Sequence, residues 1–187
     1  MAELYQISEK YLAEKSIYYT SQFYELFKDY KPNKLLEIGI GNYNAMKWYR
    51  GDNYQKGPSL RMWRDYFEEC EIYGCDINED SIFQEERIKT MIVNQSSIES
   101  LQNMIETFGR MDIIIDDGSV SPPENLNSIR TLWKYVNDYY IIQDVLTNHY
   151  DTFENILKDE LEDCEEITRY NAPGFYKGLM VFKKKSV

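Results

Sequence analysis

The sequence is poor in the residues that staple a chain or anchor it in a bilayer. Its three cysteines, Cys70, Cys75 and Cys164, form an odd set without paired zinc spacing, which excludes a disulfide framework and a structural zinc site as the basis of the fold. Unpaired thiols fit a reducing, intracellular setting. No apolar run approaches the ~20 residues that a spanning helix needs. The opening "MAELYQISEK" lacks the apolar core of a signal peptide, so a soluble cytoplasmic protein is expected. Positive charge is also short, with 21 Lys plus Arg against 32 acids and a formal charge of -11. Binding to a phosphate backbone needs a basic surface, and neither a nucleic-acid nor a membrane partner is expected. The one basic cluster, Lys183, Lys184 and Lys185, reads as a solvated tail. Histidine occurs once, as His149.

What remains is a chain with the size and apolar content for one compact core. "ELYQISEKYLAEKSIYYTSQFYELF" places aromatic and aliphatic residues at helical spacing, and Pro32 closes the segment. After it, "KLLEIGIG" is a short apolar run ended by glycines, as in a buried parallel strand entering a tight turn. Strand-like and helix-like segments then alternate. "SLRMWRDYFEEC" reads as a helix with Ser59 as its cap, followed by strands "EIYGCDI" and "IKTMIVN". The helix "SIESLQNMIETFG", strand "MDIIID", helix "PENLNSIRTLWKYV" and strand "YYIIQD" come next. "DTFENILKDEL" is a last helix, and "CEEITRYN" with "KGLMVFKKK" reads as an antiparallel hairpin. The expectation is a single α/β domain over residues 1–187, with an N-terminal helical lid at 1–31 and a Rossmann-like core at 32–187. The core would be a doubly wound, mostly parallel seven-stranded sheet made mixed by the C-terminal antiparallel hairpin.

In such sheets ligands bind beyond the carboxyl ends of the strands. The first strand ends in Glu37, Gly39 and Gly41, the second in Asp76, and the third in Asn94 and Gln95. The fourth ends in Asp116 and Asp117, the fifth in Gln143 and Asp144. Glycines let a ligand approach the backbone closely, and a carboxylate at Asp76 can accept both hydroxyls of an adenosine ribose. A nicotinamide dinucleotide fits less well. Its pyrophosphate wants a third glycine and an immediate helix N-terminus, whereas Asn44 stands there and the next helix starts near Ser59. S-adenosylmethionine, which has no phosphate and a positive sulfonium, suits an acidic edge.

"LLEIGIG", "GPSLRMWRDYFEECEIYGCDI", "NQSS" and "MDIIIDDGS" together resemble the class I S-adenosylmethionine-dependent methyltransferases, and most closely the sugar O-methyltransferases of the macrocin and mycinamicin type. "EKSIYYTSQFYELF" is similar to the helical segment before their core. The resemblance implies that Glu37, Gly39 and Gly41 line the cofactor's amino-acid end and that Asp76 holds its ribose. It implies that Asn94, Gln95 and Ser96 lie near adenine, that Ser59 and Arg61 close the site, and that Asp116 faces the cofactor. Three positions depart from the family's pattern: Asn94 for an Asp, Gln143 for an acid, and Val120 for a His that follows "DDGS".

Asp117 and Asp144 end neighbouring strands about 5 Å apart and can converge on one ion, with Gln143 adding a neutral oxygen. An all-oxygen set suits magnesium, manganese or calcium, and the resemblance implies magnesium orienting a sugar diol. His149 is placed to serve as a base in lieu of the histidine missing at Val120. The tyrosines, with Trp48 and Trp63, are candidates for a sugar platform. The expected activity is O-methylation of a sugar hydroxyl, on a deoxyhexose in a glycan or glycoside, with Asp117 and His149 catalytic. The alternatives are a catechol- or hydroxylase-type metal-dependent relative and a non-catalytic cofactor-binding protein.

Overall fold

The computed structural model describes residues 1–41, 54–172, 174 and 176–185; Asn44 and Trp48 lie outside them. Strands β1 (Lys34–Ile38), β2 (Glu71–Asp76), β3 (Gln84–Glu85), β4 (Ile88–Ile92), β5 (Met111–Asp116), β6 (Val136–Leu146), β7 (Cys164–Asn171) and β8 (Lys177–Lys184) form one sheet. Its order is β3-β4-β2-β1-β5-β6-β8-β7. β4, β2, β1, β5 and β6 run parallel, and β8 inserts antiparallel between β6 and β7. The expected seven strands are all present. The eighth is the two-residue β3, antiparallel to β4 and too short for any periodic pattern to announce.

The helices cover both faces. Helices α5 (Ile98–Phe108), α6 (Pro122–Leu132) and α7 (Tyr150–Leu157) pack on one face with Leu36, Ile38, Ile114 and Ile142. Helices α1 (Ala2–Tyr11), α2 (Lys15–Tyr18), α3 (Thr20–Phe27) and α4 (Pro58–Tyr66) cover the other. There Phe23, Phe27 and Trp63 meet Leu35, Ile113, Ile115 and Ile141. Successive residues of a strand face opposite sides, so Ile113 and Ile115 point one way and Ile114 and Asp116 the other. That alternation governs where each acid of the site ends up.

The N-terminal segment is helical but broken into three pieces. Leu12 takes a left-handed conformation (φ 56°) and closes α1 through N–H bonds onto Glu9 and Ser8 carbonyls. The break turns the chain so that Lys15, at the start of α2, faces the sheet. The aromatic stripe becomes core: the Phe23 ring stands edge-on to Trp63 at 5.1 Å, and Phe27 does so at 6.1 Å. Trp63 is fully buried and therefore belongs to this layer rather than to a sugar platform.

Helix α4 starts differently from the expectation. Gly57 is its cap, left-handed at φ 59°, with Pro58 first in the helix, a position where the missing N–H costs nothing. A side chain at Gly57 would meet the Phe83 ring at 2.3 Å. This frees Ser59 from capping and turns its hydroxyl toward the sheet.

Candidate active site

A cavity of about 450 Å³ opens at the carboxyl ends of β1, β2, β4, β5 and β6, large enough for a small ligand. On its cofactor-like side, Gly39 (φ 80°) and Gly41 (φ 74°) form the turn after β1. A Cβ on Gly39 would lie 2.3 Å from Gly118 Cα and 2.4 Å from the Asp117 carbonyl oxygen, so two strand-end loops pack there backbone to backbone. Asp76, at the end of β2, accepts from the Gly41 N–H at 3.1 Å and from the Asn78 backbone and amide at 2.9 Å each. Its carboxylate is aimed across the glycine turn, where a ribose diol would be read. Ile77 is 63% exposed beside the buried Val93, and both line the cavity. They supply an apolar slot that sequence reasoning passed over, because each is a single hydrophobic residue at a strand end.

Glu37 is 1% exposed and its two oxygens are taken by protein donors. Oε1 accepts from Lys15 Nζ at 2.9 Å and Ser59 Oγ at 2.7 Å, and Oε2 from Trp63 Nε1 at 2.9 Å. Lys15 also donates to Asp117 Oδ2 at 3.0 Å. Burial alone would lower the Lys15 ammonium, but Asp117 and Glu37 outweigh it and hold the proton more tightly than in water. Burial pushes the Asp117 carboxyl up, with Glu37 and Asp144 adding to it against Lys15.

The strand register sets the other side. Asp116 pairs with Ile142, so Asp117 and Gln143 leave the sheet side by side. A bulge lies between Ile142 and Val145 of β6, and within it Asp144 holds a left-handed backbone at φ 62°. A bulge of this kind bends the strand and re-aims the side chain it carries. Asp144 receives the Tyr19 hydroxyl at 2.5 Å and Lys177 Nζ at 2.9 Å.

No family model matches the chain. The 8-demethyl-8-alpha-L-rhamnosyl tetracenomycin-C 2'-O-methyltransferase of Streptomyces olivaceus is 31% identical over 146 residues, 76% of this chain and 37% of that protein. The mycinamicin VI 2''-O-methyltransferase of Micromonospora griseorubida is 32% identical over 158 residues, 81% of this chain and 38% of that one. The demethylmacrocin O-methyltransferase of Streptomyces fradiae gives the same figures, 32% over 158 residues. This chain is a relative of the sugar O-methyltransferases. It spans less than two fifths of the length of these curated relatives. In fold it matches the MycE methyltransferase of mycinamycin biosynthesis, in complex with Mg and S-adenosylhomocysteine, at a TM-score of 0.77. That match has 24% identity and covers 98% of this chain and 55% of the other. An O-methyltransferase from Bacillus cereus matches with a TM-score of 0.60 at 13% identity, over 99% of this chain and 91% of the other. The doubly wound methyltransferase fold is thereby shared.

For a sugar O-methyltransferase relative, the cavity gathers most of the residues singled out in the sequence. Glu37, Gly39, Gly41, Ser59, Asp76, Asn94, Gln95 and Ser96 line it, as do Asp117, Gln143 and Asp144. Gln95 is locked on both ends, donating to Asp116 at 2.7 Å and accepting from the Ser119 N–H at 3.0 Å.

Three expectations need correction. Asp116 does not face the cofactor. Strand alternation points it into the opposite layer, where it is fully buried and receives Gln95, Asn125 and Tyr140; burial pushes its carboxyl up to about 6. Arg61 does not close the site but turns outward over the Phe83 ring and pairs with Glu85. His149 sits in the 3-10 turn ahead of α7, beyond the end of β6 at Leu146, and does not line the cavity. Lys15 and Lys177 were missed. A lysine inside an aromatic helical stripe, as Lys15 is, was the signal that could have found the first.

Whether a divalent cation fits is decided by the donors. Asp117, Gln143 and Asp144 offer hard oxygens in one cavity, and Gln143 Oε1 is buried with no hydrogen-bond partner. An orphaned acceptor between two acids is what a hard cation satisfies. The acids now face ammonium groups, Lys15 on Asp117 and Lys177 on Asp144. Among the described residues no group of three His, Cys, Asp or Glu is placed to hold a metal, and the third oxygen beside the two acids belongs to the neutral Gln143. The set fits a cation in donor type and carries fewer negative charges than an all-acid site.

Proposed function

We propose that the protein transfers the methyl group of S-adenosylmethionine to a hydroxyl of a sugar, on a deoxyhexose within a glycan or glycoside. A divalent cation, magnesium by analogy with MycE, is held by Asp117, Gln143 and Asp144. The reading rests on one observation: the glycine turn with Asp76 and the oxygen set at Asp117 open into the same cavity. A methyl donor and a diol bound at those two ends would meet within it. Similarity to enzymes named for 2'-, 2''- and 3-O-methylation of glycosides supports the acceptor class.

Methyl transfer breaks the carbon–sulfur bond and forms a carbon–oxygen bond, and the hydroxyl proton leaves to a base. The protein's share is alignment and proton removal. Gly39, Gly41 and Asp76 fix the donor. Asp117 holds the acceptor edge beside Gln143 and Asp144, where its carboxylate can take the hydroxyl proton. A divalent cation bound there would polarise the acceptor oxygen. No described helix is long and apolar enough to cross a membrane, and we read the setting as cytoplasmic.

The test is methyl transfer from labelled S-adenosylmethionine to a panel of simple deoxysugar glycosides, with and without magnesium. Transfer that needs the glycoside and is stimulated by the metal supports the reading. Tight S-adenosylhomocysteine binding without transfer to any sugar would leave a cofactor-binding protein instead.

A further inference from the structure

We propose that Lys15 is the residue that receives the α-carboxylate of S-adenosylmethionine, and so selects cofactors that carry an intact amino-acid end. The inference deepens the cofactor reading above and rests on it.

The argument is one of charge. Glu14, Glu37, Asp76, Asp117, Glu124 and Asp144 line the cavity, and Lys15 is the one cationic side chain among the described lining residues. The cofactor brings a sulfonium, an ammonium and one carboxylate. The first two are welcome in an acidic cavity. The carboxylate needs a positive donor to offset the surrounding acids, and left without a partner there it would cost more than its hydrogen bonds return.

Lys15 is built for that contact. Its side chain is 3% exposed, so its charge is little screened by solvent. An ammonium has three N–H donors; Glu37 at 2.9 Å and Asp117 at 3.0 Å take two. The third has no acceptor among the described residues, and Lys15 is one of the residues that line the cavity. Glu37 stands on β1 just before the Gly39–Gly41 turn and Asp117 just beyond β5, which places the ammonium between the ends of these two strands, while Asp76 ends β2 on the other side of β1. Ser59 and Trp63 complete Glu37, so Glu37 acts as a rigid hub that holds Lys15 rather than as a contact for the cofactor. Position is further fixed at the backbone, where the Lys15 carbonyl accepts from the Thr20 hydroxyl at 2.9 Å and the Tyr19 N–H at 3.0 Å.

Calorimetry with two ligands isolates this contact. S-adenosylhomocysteine carries the carboxylate; its decarboxylated analogue, S-adenosyl-3-thiopropylamine, does not. The wild-type protein should prefer the former by about 10- to 100-fold, the range for a charged hydrogen bond. In Lys15→Gln that preference should collapse to within about threefold, while the analogue binds nearly as before. A role confined to holding the fold would weaken both ligands together and leave the ratio intact, and that result overturns the assignment. Should Lys15→Gln not fold because Asp117 loses its counter-charge, Lys15→Gln combined with Asp117→Asn removes the pair together, and the same collapse is expected. Wild-type protein that binds neither ligand would sink the cofactor reading itself, whereas wild-type protein that binds both equally would sink only the role of Lys15.

Discussion

The hydroxyl of Tyr19 donates to Asp144 across 125 residues of sequence, at 2.5 Å. It ties the N-terminal helices to the strained end of β6, at the same edge where Lys15 reaches Glu37 and Asp117. The segment that sequence alone presents as a lid is thus part of the wall of the site. A chain starting after Pro32 should lose S-adenosylhomocysteine affinity as well as stability. Normal binding and methyl transfer by a folded truncated chain would reduce the segment to scaffolding. Tyr19→Phe, a smaller change, should cost about 1.5–3 kcal/mol in unfolding free energy, the scale for a bond to a charged acceptor.

Asp76 carries the prediction about cofactor class. Its carboxylate is 8% exposed in the cavity and already organised by the Gly41 N–H and Asn78. Asp76→Ala should weaken S-adenosylhomocysteine by about 1.5–3 kcal/mol in calorimetry, and nicotinamide dinucleotides should not bind the wild type. Tight NAD binding with none of S-adenosylhomocysteine would reverse the assignment.

The sheet, its mostly parallel order and its C-terminal hairpin were legible because apolar runs at strand spacing do not depend on distant partners. So was the set of strand ends that form the cavity. Period-2 alternation should also have told Asp116 from Asp117: Ile115 and Asp117 share one face, Ile114 and Asp116 the other. The misplaced residues, Arg61 and His149, were displaced by features that leave no local pattern. One is the αL cap at Gly57, which fixes how α4 starts; the other is the run of β6 on to Leu146, which puts His149 beyond the strand end. Lys15 was hidden for a different reason, because its partners lie 22 and 102 residues away.

The surface of the N-terminal segment predicts an acid sensitivity. Asp65 on α4 accepts from Lys10 at 2.8 Å and Tyr11 at 2.5 Å of α1, and from Arg64 at 2.9 Å. Burial would raise its carboxyl, but these three donors hold it down at about 2, below the usual ~3.9 of an unfolded chain. Stability from this group is therefore full above pH ~4 and is lost as pH falls through 4 to 2. With solvent screening of a partly exposed cluster the contribution is about 1 kcal/mol. Asp65→Asn should lower the urea midpoint at pH 7 and bring it to that of the wild type near pH 2. Equal midpoints at neutral pH would show that the cluster contributes nothing to stability.

The acceptor edge gives the last prediction. A sugar hydroxyl is a very poor acid and must meet a base or a cation. No histidine lines the described cavity, and Val120, 56% exposed, has no group to offer. The proton would then go to Asp117, and a cation held beside it would lower the acidity barrier of the hydroxyl. Asp117→Ala and Asp144→Ala should each abolish turnover; Asp144→Ala should leave S-adenosylhomocysteine binding nearly intact, whereas Asp117→Ala, which removes one of the two anchors of Lys15, should alter it. His149→Ala should be almost neutral, given its place outside the cavity. Lys177 competes with any cation for Asp144 Oδ2, so Lys177→Met should tighten magnesium binding, measured by calorimetry, by about tenfold. Gln143→Glu should tighten it too, by adding the missing negative charge. Undiminished transfer in excess EDTA, with both aspartate variants fully active, would rule out the cation and the carboxylate base together.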